Sequence, residues 1–131
     1  MPWGEGMPEK GKQVLLIEDE PHIVEAIRFI LTRDGWGVEA HADGADAIEV
    51  IQRLAPDVLI LDVMLPGRSG YEILQDLRAD AATARLPVLM LTARGQDRDR
   101  DLAQRYGVSR FMTKPFSNLD VLTSVRELSG G

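Results

Sequence analysis

The segment VLILDVMLPGRSG, residues 58–70, carries an apolar run directly before Asp62 and a turn signal, Pro66-Gly67, shortly after it. An apolar run bounded by a turn is typical of a strand that is buried on both faces of a parallel sheet. A lone carboxylate at the end of such a strand is costly to bury and is unnecessary for folding. Asp62 is therefore a candidate functional residue.

Short apolar runs alternate with amphipathic segments along the rest of the chain. The predicted strands are residues 13–17, 37–42, 57–61, 87–91 and 109–113. The predicted helices are residues 21–35, 43–54, 70–80, 97–107 and 117–128. Because connections between parallel strands are right-handed, this alternation predicts an α/β fold, a doubly wound five-stranded parallel sheet with helices on both faces.

Length and composition favour one domain, predicted at residues 13–128, with a flexible N-terminal extension at 1–12 and a tail at 129–131. The absence of cysteine excludes disulfide scaffolds, zinc–thiolate sites and thiol catalysis, and nothing indicates an oxidising compartment. A formal charge of −6 argues against broad nucleic-acid binding. The apolar stretches are far shorter than the roughly 20 residues needed to span a bilayer.

Polar side chains follow four of the five predicted strands, and ligands of doubly wound sheets bind at this edge. Carboxylates that converge there repel one another, and a divalent cation would relieve the repulsion. A site with few protein carboxylates suits Mg²⁺, which keeps bound waters and shares its ligands with phosphate oxygens. A lysine and a hydroxyl opposite the metal would bind an anion, and Asp62 could then act as the nucleophile in phosphoryl transfer. The polar residues that follow the four strands are Glu18-Asp19-Glu20, Asp62, Thr92 and Lys114, which is followed by Pro115.

The motifs LLIEDE, LILDVMLPGRSGYE, LMLTAR and FMTKPFS, taken together, resemble those of response-regulator receiver domains of two-component signalling. The resemblance covers residues 13–128, with the motifs in the right order on the right elements. It implies a flavodoxin-like (βα)5 fold with strand order 2-1-3-4-5. It also implies a cytoplasmic protein that catalyses only its own phosphorylation and dephosphorylation.

The resemblance assigns a metal site and a phosphoacceptor. Asp62 resembles the phosphoacceptor and a ligand of Mg²⁺, for which Mn²⁺ would substitute. Asp19 resembles a direct metal ligand, Glu18 a residue that acts through metal-bound water, and the backbone carbonyl of Met64 a further ligand.

The resemblance also assigns a switch. Thr92 resembles the hydroxyl that bonds the phosphoryl group, and Lys114 resembles its ion-pairing partner, followed by a cis Lys114–Pro115 peptide. Phe111 holds the aromatic switch position, where many relatives have tyrosine, so its inward state would be purely apolar. The segment Val108-Ser109-Arg110 departs from the usual small and acidic run, which changes the charge of the partner-facing surface.

The implied partner is a sensor histidine kinase or a phosphotransfer protein. The surface of residues 97–128 would then switch to bind an effector protein or a second copy, with no direct nucleic-acid binding and no membrane contact. Three alternatives remain. A phosphatase with an aspartyl nucleophile needs a second acid where Met64 stands. A flavin or nucleotide carrier needs a glycine-rich loop where the acidic EDEPH stands. A receiver used only for docking would not need the intact Asp62, Thr92 and Lys114.

Overall fold

A computed structural model describes residues 13–93 and 97–130, apart from the side chains of residues 97 and 98. Its strands are β1 (Gln13–Ile17), β2 (Gly37–His41), β3 (Val58–Asp62), β4 (Val88–Thr92) and β5 (Arg110–Thr113). Its helices are α1 (Pro21–Arg33), α2 (Ala47–Leu54), α3 (Gly70–Ala79), α4 (Asp97–Arg105) and α5 (Asn118–Leu128). The predicted N-terminal extension, residues 1–12, lies outside the described residues, as does Gly131 of the predicted tail.

The strands form one parallel sheet in the order β2-β1-β3-β4-β5, which confirms the predicted fold and strand order. β3 and β4 are buried along their whole length, as expected for central strands of a sheet covered on both faces. One apolar core lies between the sheet and α2, α3 and α4, and a second lies between the sheet and α1 and α5. The predicted helices on both faces are therefore confirmed.

Two predicted helices are too long at their C-terminal ends. α1 ends at Arg33 and α4 at Arg105, and each is followed by a glycine with positive φ, Gly35 at 94° and Gly107 at 88°. In each case the backbone N–H of the residue after the glycine donates to a carbonyl five residues earlier. This arrangement closes a helix with a left-handed residue, and glycine adopts it without a steric penalty.

The predicted start of the second helix at residue 43 is wrong, because α2 begins at Ala47. The Asp43 carboxylate accepts a hydrogen bond from the N–H of Ala45, which stabilises a local turn instead of a helix. The N–H of Gly44 donates to the carbonyl of Pro66, 2.9 Å away, and ties this turn to the β3–α3 connection. A tertiary contact therefore overrides the helical pattern here.

Side-chain caps fix the helix starts that border the carboxyl edge of the sheet. Glu20 caps α1 by accepting from the N–H groups of His22 and Ile23, with Pro21 as the first helical residue. Ser69 and Glu72 form a reciprocal capping box at α3. These caps hold the residues next to Glu18 and Asp62 in defined positions.

Candidate functional site

The candidate site lies at the carboxyl edge of the sheet, where β1 and β3 end side by side. Asp62 is the last residue of β3 and is 3% exposed, and Glu18, directly after β1, is 1% exposed. Asp19 is exposed beside them. The predicted strand 57–61 is displaced by one residue, so Asp62 belongs to the strand itself and its position is set by the sheet.

Three carboxylates converge as the sequence predicts. One oxygen each from Glu18, Asp19 and Asp62 lie within 4.8 Å of one another. Glu18 Oε1 is buried and receives no well-directed hydrogen bond from the described part of the chain. Close carboxylate oxygens with unused acceptor capacity match the ligand preference of a hard divalent cation such as Mg²⁺. The donor set therefore fits the metal that the resemblance implies.

Lys114 supplies the positive charge of the site. Its Nζ lies 2.9 Å from Glu18 Oε1 and donates to Asp62 Oδ1 at 3.2 Å. Burial lowers the pKa of Lys114, but the Glu18 contact and the Asp62 charge outweigh burial, so that the pKa is raised overall. Burial also raises the pKa of Glu18, although Lys114 and the N–H of Glu20 oppose it. Lys114 is thus held as an ammonium between two buried carboxylates.

The remaining predicted residues lie around this centre. Thr92 is the last residue of β4 and is buried, and the Lys114–Pro115 peptide is cis, in agreement with the resemblance. Met64 stands where a phosphatase with an aspartyl nucleophile needs a second acid; its side chain is 72% exposed and has no proton to donate. Phe111 on β5 is half-buried and packs at the margin of the core under α2, α3 and α4.

Gly70 is a site-supporting residue that the sequence reasoning missed. A Cβ atom at Gly70 would stand 2.3 Å from the carbonyl oxygen of Asp62 and 3.0 Å from the Cα of Val63. The N–H of Gly70 also donates to the carbonyl of Val63 at 2.8 Å. Only glycine lets the start of α3 approach the end of β3 this closely. The sequence signal that could have identified Gly70 was a glycine at the first residue of a predicted helix.

A shallow groove of about 400 Å³ lies beside Lys114, between α1 and the β5–α5 connection. It is lined mainly by His22, Ile23, Ala26, Pro115 and Phe116. Lys114, which contacts Asp62, also lines this groove and connects it with the candidate site.

A family model for the response regulator receiver domain matches residues 14–126. The chain belongs to the response-regulator receiver-domain family. Receiver domains are signalling modules rather than conventional enzymes, and they interact with histidine kinases or phosphotransfer proteins.

Among curated proteins, "Probable transcriptional regulatory protein TcrX" of Mycobacterium tuberculosis is 40% identical over 115 residues. The match covers 88% of this chain and 48% of that protein, so the receiver spans about half the length of its relative.

Two solved receiver domains of histidine kinases are similar. The domain from Syntrophus aciditrophicus is 28% identical with a TM-score of 0.84, over 92% of this chain and 91% of that one. The domain from Pseudomonas aeruginosa, which has magnesium coordinated in its active-site cleft, is 29% identical with a TM-score of 0.83, over 92% and 99%. In this receiver, no helix among the described residues is long and apolar enough to cross a membrane.

Proposed function

We propose that this receiver accepts a phosphoryl group from the phosphohistidine of a partner kinase or phosphotransfer protein onto Asp62. The observation that carries the proposal is the contact of the buried Asp62 carboxylate with Lys114, beside two further carboxylates. A nucleophile, a cation-binding set of oxygens and a fixed positive charge are the parts that phosphoryl transfer requires.

Asp19 and Asp62 would hold Mg²⁺ directly, with Glu18 acting through water and Met64 through its backbone carbonyl. When bound, the ion neutralises charge on the carboxylates and on the phosphoryl oxygens. Mn²⁺ is expected to substitute, since it prefers similar oxygen ligands.

In the transfer step, an Asp62 carboxylate oxygen attacks the phosphorus atom and forms a P–O bond. The P–N bond to the kinase imidazole breaks, and the imidazole leaves with its electron pair. Lys114 and the Thr92 hydroxyl bind the oxygens of the transferred group, where they stabilise its charge. Because Lys114 already lies 3.2 Å from Asp62, the lysine needs little reorganisation to meet the product.

The response to phosphorylation is proposed to pass through Thr92 and Phe111. As Thr92 moves toward the phosphoryl group, the half-buried Phe111 ring turns further inward and changes the surface of residues 97–128. Burial of the rest of the ring favours this state by an apolar contribution of about 1–2 kcal/mol. The changed surface binds an effector protein or a second copy of the chain.

The groove beside Lys114 is proposed to receive the kinase or phosphotransfer protein. Its apolar residues Ile23, Ala26 and Phe116 offer contact area, and its lining includes Lys114, which contacts Asp62. A cytoplasmic location follows from such a partner. The net charge of −6 supports the absence of direct nucleic-acid binding by this chain.

The test is incubation with acetyl phosphate, with and without Mg²⁺, followed by intact-mass measurement. One phosphoryl group is expected per chain in the presence of Mg²⁺, with a much smaller yield after chelation. The control variant Asp62→Asn keeps the size of the side chain but loses the nucleophile, and no adduct is expected. An adduct of parental yield in Asp62→Asn would reject the proposal.

A further inference from the structure

The two ends of α4 are held by different contacts. α4 forms part of the surface proposed to change on phosphorylation. Between residues 99 and 105, Ala103 is its one fully buried side chain, so packing against the core contributes little to its position. Helices with few buried apolar contacts open at low free energy. The polar and aromatic contacts at the two ends of α4 therefore decide where it rests.

The C-terminal end of α4 is anchored by Arg78 of α3. Arg78 Nε donates to the carbonyl of Gly107 at 2.8 Å, and its Nη1 donates to the carbonyl of Thr83 at 3.2 Å. Its Nη2 is 3.5 Å from Ser109 Oγ, which accepts from the N–H of Val88. One guanidinium thus joins the end of α4 to the start of β4 and β5.

The N-terminal part of α4 is held by a single hydrogen bond from Tyr71, a weaker contact than the one Arg78 makes at the other end. The Tyr71 hydroxyl donates to the backbone carbonyl of Asp99 at 3.4 Å, and the Tyr71 ring packs on Tyr106 with centroids 6.1 Å apart. The next residue of α4, Arg100, places its guanidinium over the Phe111 ring, 5.9 Å from the ring centroid. Tyr71 and Phe111 therefore contact consecutive residues of α4.

Tyr71 is also connected to the phosphoacceptor strand. It follows Gly70, whose backbone lies against Asp62 and Val63 too closely for any Cβ atom. The capping box of Ser69 and Glu72 fixes the same turn. A shift of the strand end at Asp62 is therefore passed to the first turn of α3, and the phenol moves with it.

We propose that Tyr71 is a positioning residue of this receiver, whose phenol holds the first turn of α4 in its resting position and links it to Asp62. Loss or lengthening of the Tyr71–Asp99 hydrogen bond lets α4 pivot about the end anchored by Arg78. The link to activation rests on the proposed function, whereas the hold on α4 at rest does not. Phe111 has no hydroxyl, and Tyr71 supplies one next to it on the first turn of α4.

The first test is hydrogen exchange of the full chain without phosphodonor, in the parent, Tyr71→Phe and Tyr106→Phe. Tyr71→Phe removes one hydroxyl and keeps the ring. The amides of residues 101–105, which are bonded within the helix, should exchange faster by about 2- to 13-fold, the factor that corresponds to one neutral hydrogen bond. Tyr106→Phe leaves the Tyr71–Asp99 bond in place and should match the parent. Parental exchange in Tyr71→Phe would overturn the proposal.

The second test is the rate of phosphorylation by acetyl phosphate with Mg²⁺. If the bond holds the resting state, Tyr71→Phe raises the population of the active state and should accelerate phosphorylation, by up to the same factor. A slower or unchanged rate in Tyr71→Phe would overturn the link to activation. If the parent takes up no phosphoryl group, the proposed function fails, and the exchange comparison still decides whether Tyr71 holds α4.

Discussion

Replacement of Lys114 by methionine probes the charge balance of the site. The change keeps most of the apolar stem but removes the ammonium group that lies 2.9 Å from Glu18 and 3.2 Å from Asp62. The two carboxylate side chains are 0% and 4% exposed, and Lys114 itself is 19% exposed, so water screens these contacts weakly. Without Lys114, two buried like charges face each other.

The expected cost follows from this burial. Removal of one partner from a buried ion pair destabilises a protein by about 3–5 kcal/mol. The deficit should shrink as the pH falls below neutral, because folded Glu18 has a raised pKa and takes up a proton before the unfolded chain does. In the double variant with Glu18→Gln, the repulsion disappears and a large part of the loss should be recovered.

Urea unfolding without divalent cations measures these differences. With a slope of about 1–3 kcal/mol per M, the Lys114→Met midpoint should fall by at least about 1 M at neutral pH. Lys114→Arg keeps the positive charge and should lose less unfolding free energy than Lys114→Met. A Lys114→Met loss below about 1 kcal/mol, the value of an exposed pair, would refute the view that Lys114 neutralises buried carboxylates.

Three further outcomes are expected. Asp19→Asn removes one of three close carboxylates, so the rise in melting temperature on addition of Mg²⁺ should disappear; a rise equal to the parent's would place the metal elsewhere. Burial, followed by the charge of Asp99, raises the pKa of Tyr71 above its ordinary value near 10, and stability should fall as pH rises through this range. Absorbance titration of Tyr106→Phe, whose one tyrosine is Tyr71, should give a midpoint above 10, and a midpoint at or below it would contradict the burial argument. Gly70→Ala should lose about 1–3 kcal/mol in urea unfolding, since the new methyl group would meet the Asp62 backbone, and parental stability would show that α3 can shift freely.

The fold was predictable because its decisive signals are local. The apolar run before Asp62 indicates a central strand, and alternation with amphipathic segments leaves few topologies open. The convergence of the candidate site's side chains was predictable for the same reason, since parallel strands bring their carboxyl ends to one edge. Asp62 and Lys114 are 52 positions apart in sequence, yet each directly ends or follows a strand.

The remaining features depend on contacts between helices and strands. The hydrophobic pattern of the sequence does not encode these contacts. α2 begins four residues after its predicted start because the N–H of Gly44 donates a hydrogen bond to the carbonyl of Pro66 in the β3–α3 connection. The contact of Tyr71 with Asp99 joins residues 28 positions apart on two helices, and their relative placement follows from packing against the sheet. The Gly70 contact likewise requires the backbone of β3 and α3 in three dimensions.

The most direct test of the central claim is to locate the phosphoryl group. After brief incubation with acetyl phosphate and Mg²⁺, borohydride reduction converts an aspartyl phosphate into homoserine, which tandem mass spectrometry assigns within residues 58–70. We expect homoserine at position 62, at a yield that falls sharply when Mg²⁺ is chelated. Modification at any other residue, or the same yield at Asp62 without the metal, would contradict a metal-assisted receiver that uses Asp62 as its phosphoacceptor.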